Sequence, residues 1–224
     1  MRMRKKKNLD ARLQNVQAIL TVYQSENKNF SCTQPEQLLD LDRLFAKPQP
    51  VFIEIGCGKG GFARKFAALH PEINFLAIEK SANVLVEACE KALPLQLPNL
   101  RFLNAQAEYL SRIIPPHSVE RIFLNFSCPF PKKSYASHRL TSARFLSVYQ
   151  TILKPDGEIH QKTDNAMRFA FSLEQLSQNG FMLQNISLDL HHSAIDDNIP
   201  TEYEEKFAAM GLPIYYLEAK RAKT

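Results

Sequence analysis

Four of the chain's seven glycines, Gly56, Gly58, Gly60 and Gly61, fall within six residues of one another. They directly follow the apolar run Val51–Ile55 and open a helical pattern, in the stretch VFIEIGCGKGGFARKF. Glycine at such a junction lets the backbone turn sharply and approach a ligand with no Cβ in the way. Open α/β sheets bind ligands outside the carboxyl ends of their strands, so this spacing suits a nucleotide-type ligand at the end of the first run. The glycines leave two choices. Gly56, Gly58 and Gly61 satisfy G-x-G-x-x-G, the dinucleotide fingerprint, with Glu79 following as its acidic partner. Gly56, Gly58 and Gly60 equally satisfy a tighter G-x-G-x-G, with Glu54 two residues ahead of it. Glu79 ends the run INFLAIE, where a carboxylate can accept both hydroxyls of a ribose.

A second cluster lies at Arg121–Thr141, RIFLNFSCPFPKKSYASHRLT. An apolar run, Ile122–Phe126, leads into a loop stiffened by Pro129 and Pro131. Lys132, Lys133, Arg139 and Arg144 supply a cationic rim suited to phosphates. Two further polar stretches follow: LKPDGEIHQKTDN (Leu153–Asn165) and NIPTEYEEKFAAMGLPIYYLEA (Asn198–Ala219). Residues 1–12 hold six Lys/Arg and one Asp, and residues 121–155 hold six and no acid, against six basic and eleven acidic groups in residues 156–224. The net charge of +5 is therefore gathered in two segments, which favours a polyanionic partner. No metal site is expected, because His191-His192 lacks a third ligand at metal spacing.

The elements that must position these groups follow from the hydrophobic pattern. Short apolar runs at Val51–Ile55, Ile73–Ile78, Leu100–Leu103, Val119–Phe126, Glu158–Lys162, Phe181–Leu190 and Ile214–Glu218 alternate with helical stretches at 60–69, 81–93, 141–153 and 165–178. That alternation predicts an α/β fold, a doubly wound, mostly parallel sheet covered on both faces, with one of the last strands antiparallel. Ahead of the break at Lys47–Pro50, the spacing of Leu13, Val16, Leu20 and Tyr23, and of Leu38, Leu41 and Phe45, predicts two short helices, preceded by a disordered basic arm at residues 1–8. The expected division is thus a basic arm and helical extension at 1–48 and a ligand-binding domain at 49–224.

With 224 residues, 45% hydrophobic and 23% charged, the composition excludes collagenous, mucin-like and wholly disordered classes. No apolar stretch approaches the ~20 residues needed to span a bilayer. Four cysteines without metal or disulfide spacing, and a basic N-terminus with no apolar run behind it, point to a reduced, cytoplasmic setting.

Taken in order, the motifs EIGCGKG, NFSCPFPKKS, KTDN and NIPTEYEEKFAAMGLPIYYLE resemble the TrmB-type tRNA (guanine-N7-)-methyltransferases over about Val51–Ala219. The resemblance implies a seven-stranded, Rossmann-like class I methyltransferase fold that uses S-adenosylmethionine (SAM) to methylate N7 of a guanine in the tRNA variable loop. It implies SAM contacts at Glu54, Gly56, Gly58, Gly60, Glu79, Cys128 and Gln106, the last standing where the family has Asp. It implies tRNA contacts at Lys132, Asp164, Thr201, Glu202, Tyr203 and Glu204. Oligomeric state is left open between monomer and homodimer.

One departure bears on chemistry. Where the family has Asp-Pro-Trp, with the Asp assigned as catalytic, this chain has Cys128-Pro129-Phe130. A thiol with its ordinary pKa near ~8.5 is a poor stand-in for a carboxylate. Either the activity is altered, or that Asp is no obligatory base. N7 of guanine exposes a lone pair and has no proton to remove, so transfer mainly needs positioning and a suitable field. An acid is more useful against the N1–H and N2–H edge, and Asp164 or Glu204 could serve. A noncatalytic tRNA-binding protein and an NAD-linked oxidoreductase remain as alternatives at this stage.

Overall fold

Eight strands form one sheet in the computed structural model, which describes residues 6–23 and 38–222. In chain order the elements are α1 (Leu9–Asn15), β1 (Leu20–Val22), α2 (Leu41–Leu44), β2 (Val51–Ile55), α3 (Gly61–Leu69), β3 (Asn74–Glu79), α4 (Ala82–Ala92), β4 (Leu100–Asn104), α5 (Leu110–Ile113), β5 (Val119–Asn125), α6 (Ala143–Ile152), β6 (Leu153–Thr163), α7 (Ala166–Gln178), β7 (Phe181–Ser187), α8 (Glu202–Ala209) and β8 (Tyr215–Arg221). The sheet order is β1-β4-β3-β2-β5-β6-β8-β7. The first six strands in that order run parallel, and β8 lies antiparallel to both β6 and β7. The doubly wound class expected from the pattern is the fold observed.

The strand count differs from seven. Leu20–Val22, expected to continue a helix, instead pairs in parallel with Phe102–Asn104 at the sheet edge. Helical and extended readings of so short an apolar run cannot be separated by spacing; here pairing with β4 decides. Residues 6–8 also differ from the expected disorder. The Lys6 backbone N–H donates to Asn83 Oδ1 at 3.0 Å and its ammonium pairs with Glu87, while Arg12 grips Glu90 with two bonds of 2.7 and 2.6 Å. Part of the N-terminal positive charge is thus neutralised against α4. The rest of the basic arm lies outside the described residues; the second expected helix is observed as the single turn α2, with Leu38 ahead of it and Phe45 just past its end, capped by the Asp40 side chain, which accepts from Arg43 N at 3.1 Å.

Every residue of β2 is buried, as befits a central parallel strand covered on both faces. On one face lie α1, α3 and α4, with Phe52, Phe62, Phe66, Phe75 and Phe123 in contact beneath them. On the other, α5, α6 and α7 cover Ile53, Ile55, Leu76, Ile122, Leu124 and Ile159. Winding outward in both directions from β2 and β5 opens a crevice at their carboxyl ends, the point where such sheets bind ligands.

The turn between α3 and β3 rests on one side chain. Buried Asn99 points its amide nitrogen at the carbonyls of Ala67, His70 and Ile73, each 2.9 Å away. Replacing it with alanine strands those acceptors, so Asn99→Ala is expected to lower stability by about 2–3 kcal/mol in urea unfolding. A loss below about 0.5 kcal/mol would show that water replaces the amide there.

Candidate functional site

The crevice is bridged by a buried polar pair. Glu54, next to last in β2, is 3% exposed, and Asn125, last in β5, donates its amide to Glu54 Oε1 at 2.9 Å. Glu54 Oε2 and Asn125 Oδ1 are both buried without a hydrogen-bond partner among the described residues. Burial lifts the Glu54 carboxyl to a pKa of about 7, against the opposing pull of the Asn125 hydrogen bond and the charge of Lys162. Two acceptor oxygens without donors, one on a carboxyl group, call for a cationic donor.

Above this pair runs the glycine loop. Gly56 and Gly58 have φ of +85° and +56°, left-handed values that side chains rarely adopt, and a Cβ at either would meet nothing within 4 Å. The loop is thus shaped for its backbone to face open space. Gly61 is small for a different reason: a Cβ there would come within 3.0 Å of Glu202 Oε1, so α8 closes on the start of α3.

That open space is a cavity of about 400 Å³ along the carboxyl ends of β2, β3, β4 and β5. It brings together most of the residues singled out in the sequence: Glu54, Gly56, Gly58, Glu79, Cys128, Thr201, Glu202 and Tyr203 all line it. Glu79 is fixed by Ser81 N, which donates to its Oε1 at 2.8 Å. Gln106 is exposed and stands outside the walls, although its neighbours Ala105, Ala107 and Glu108 belong to them. Gly60 is likewise outside, at the N-cap of α3.

The wall opposite the glycines is the loop Phe126–Phe130, and it is strained. Phe126 and Phe130 adopt φ of +46° and +42°, which costs on the order of 1–3 kcal/mol each for a bulky side chain. Cys128, exposed, lies between them. Arg168, on α7 and only 1% exposed, reaches under the loop and donates to the Cys128 carbonyl and to Ser127 Oγ, both at 3.0 Å. Arg139 donates to the Phe130 carbonyl at 3.0 Å and lies 4.4 Å from the Phe171 ring centre. Sequence reasoning passed over both Asn125 and Arg168. Asn125 could have been suspected as a polar residue ending an apolar strand beside the loop, whereas nothing local marks Arg168.

The third wall is α8. Thr201 and Glu204 form a reciprocal capping box, Thr201 Oγ1 accepting from Glu204 N at 2.9 Å. Glu204 is fully buried, and its carboxylate is occupied by Lys162 at 3.0 Å, His191 at 3.2 Å, the Asn198 amide and the Thr201 backbone N–H. Lys162, pushed down by burial and up by Glu204, also donates to Asn198 Oδ1 and to the Ile199 carbonyl. Glu204 therefore leaves the set of groups free to touch a base; it anchors the wall. Asp164, half-buried after β6, carries no hydrogen bond or ion pair among the described residues and lies outside the cavity walls. Lys132 and Lys133 are exposed and stand outside the cavity walls, whereas Arg139 is spent on Phe130 and Arg144 pairs with Glu108 at 3.2 Å.

Comparison with known proteins places this geometry. Residues 48–217 match a family model described as "Putative methyltransferase". A tRNA (guanine-N(7)-)-methyltransferase of Geobacillus thermodenitrificans is 50% identical over 178 residues, 80% of this chain and 82% of that protein. One of Macrococcus caseolyticus is 48% identical over 176 residues, 79% of this chain and 84% of its own. Among solved structures, the 16S rRNA methyltransferase KamB aligns with a TM-score of 0.61 at 17% identity, covering 84% of this chain and 95% of that one. The antibiotic-resistance methyltransferase Kmr aligns with a TM-score of 0.56 at 19% identity, over 83% and 92%. These two likenesses bear on the fold alone.

The Glu54 carboxyl has a folded pKa raised above its unfolded value of 4.5 to about 7. Folding therefore opposes ionisation: the penalty is absent below pH 4.5, grows between the two values and is complete above about 7. Glu54→Gln is expected to stabilise the ligand-free protein by on the order of 3 kcal/mol at pH 8 and by little at pH 4.5. Thermal melts across that range check it; a difference that does not grow with pH would place Glu54 in a wetter site.

Proposed function

This chain belongs to the tRNA (guanine-N(7)-)-methyltransferase family, and from that membership we propose how its own residues carry out the reaction. It is a methyltransferase that acts on N7 of guanine in tRNA. The methyl donor is SAM and the target lies in the variable loop. The observation that carries the SAM reading is the buried Glu54–Asn125 pair, whose two unpartnered oxygens border the cavity under the glycine loop. An ammonium group, such as the one at the methionine end of SAM, satisfies both. A pyrophosphate in the same place would face a buried carboxylate, which disfavours the dinucleotide alternative. When bound, SAM supplies an electrophilic methyl on a sulfonium centre.

The protein's part is to hold and orient. Gly56 and Gly58 let the backbone approach the ligand, Glu79 receives the ribose hydroxyls, and Ala105 and Ala107 leave room for an adenine. Phe126, Ser127 and Cys128 form the wall on the opposite side. Cys128 is a wall residue, not a base, since N7 has no proton to give up. Tyr203 stacks with Phe126 at 6.2 Å and is 60% exposed, which leaves an aromatic face for a base. Of the two carboxylates offered for the N1–H and N2–H edge of guanine, Glu204 is consumed in the wall and Asp164 is free, so Asp164 takes that role, with Glu202 at the cavity mouth. Lys132 and Lys133 meet tRNA phosphates outside the cavity walls.

Two outcomes are expected. SAM should bind more tightly as pH rises towards about 7, by at most about tenfold per unit, and level off above, because the cation binds the ionised form of Glu54; Glu54→Gln should flatten the profile. Calorimetric titration reads both, and an unchanged profile in the variant would move the ammonium elsewhere. In radiolabelled methyl transfer to an unmodified tRNA transcript, Asp164→Ala should cost about ten- to a hundredfold in rate, and Cys128→Ala much less. Loss of transfer in the cysteine variant with normal rate in Asp164→Ala would make the thiol the chemical centre and overturn this assignment.

A further inference from the structure

The cavity loop Phe126–Phe130 is held from below by a cation that the reading of the reaction leaves without a task. Arg168 is among the largest fully buried side chains of the protein. Among the described residues it makes no ion pair, the titratable groups nearest it being Tyr149, Cys128 and Arg139, and its Nε is buried and unpartnered. Burial without an acidic partner pushes the guanidinium down to a pKa of about 10. Such a group is costly to keep, and an apolar side chain of similar size would fill the same space at less cost. Both of its hydrogen bonds go to one place, the Ser127 hydroxyl and the Cys128 carbonyl.

The surroundings point the same way. The loop carries a left-handed phenylalanine on each side of these two residues, so its geometry does not hold itself. Asn165 caps α7 by accepting from Arg168 N at 2.8 Å, which fixes the start of the arginine's reach. One turn later on α7, Phe171 receives Arg139, which secures the Phe130 carbonyl. Helix α7 thus clamps the loop at its middle and at its far end.

We propose that Arg168 is a positioning residue for methyl transfer: its buried guanidinium, through the Ser127 hydroxyl and the Cys128 carbonyl, sets the shape of the cavity wall that holds the transferred methyl in line with its target. The proposal rests on the reading of the reaction given above. A displaced wall leaves the ligands bound but misaligned, and misplacement on the order of an ångström is worth about a hundredfold in rate. Its signature is a fall in kcat with the KM values for SAM and tRNA changed far less.

The test measures kcat, both KM values and melting temperature for the full-length wild type, Arg168→Ala, Arg168→Lys and Ser127→Ala on an unmodified tRNA transcript. Each is assayed with and without guanidinium at a concentration too low to denature. Arg168→Ala is expected to lower kcat about ten- to a hundredfold and to regain part of it with added guanidinium. Ser127→Ala, which removes one acceptor, should lose a few-fold without a comparable drop in melting temperature. Normal kcat in folded Arg168→Ala, or a loss that tracks only the unfolded fraction and ignores guanidinium, overturns the proposal. Should Arg168→Ala fail to fold, normal kcat in both Arg168→Lys and Ser127→Ala overturns it, and a reduced kcat in both folded variants supports it. A wild type that transfers no methyl to any tRNA overturns the reaction itself, a result distinct from a wild type that works and variants that work equally well.

Discussion

A carboxyl group in apolar surroundings, at the end of the central strand, is the constraint around which the site is arranged. Glu54 sits where the sheet changes winding direction, and among the described residues only the Asn125 amide answers one of its oxygens. An ionised carboxylate there is poorly solvated, so in the empty protein the group holds its proton until the pH reaches about 7 and is ionised, at a cost to the fold, above it. A cationic group removes that penalty on binding. The same feature that weakens the ligand-free fold therefore selects for a positively charged ligand and against a phosphate.

Two strong local conformations frame this carboxyl. The glycine loop bends through left-handed backbone at Gly56 and Gly58, which costs glycine little. The facing loop bends through left-handed backbone at two phenylalanines, which costs more and needs support from outside. Arg168 and Arg139 provide it. The stiffness of the cavity is thus unequal: one wall is set by residue type, the other by tertiary contacts from α7.

The remaining wall depends on a buried ion pair. Lys162 at the end of β6 and Glu204 in the first turn of α8 are both almost wholly removed from water, and each satisfies further polar groups of residues 191–201. Breaking either partner would strand the other in the interior. The pair joins α8 to the sheet, and so delivers Thr201, Glu202 and Tyr203 to the cavity. It also explains how a motif rich in acid can present only part of its charge to a substrate.

The sequence by itself determined the α/β alternation, the glycine loop, Glu54 and Glu79, because these depend on period, residue type and short spacing. The capping box of Thr201 and Glu204 is likewise a local device, since it needs only two residue types three positions apart. The sequence misassigned Leu20–Val22 and residues 6–8, whose states depend on pairing with β4 and α4. It offered Glu204 as a base-reading group, and only the fold put Lys162 against it. It read Arg139 and Arg144 as free cations, and only the fold set them against Phe130 and Glu108. Arg168 lay some forty residues from the loop it holds, with no local mark. What a side chain can do is written in its type; whether it remains free to do so depends on which distant partners the packing brings within hydrogen-bond reach, and that information is spread over the whole chain.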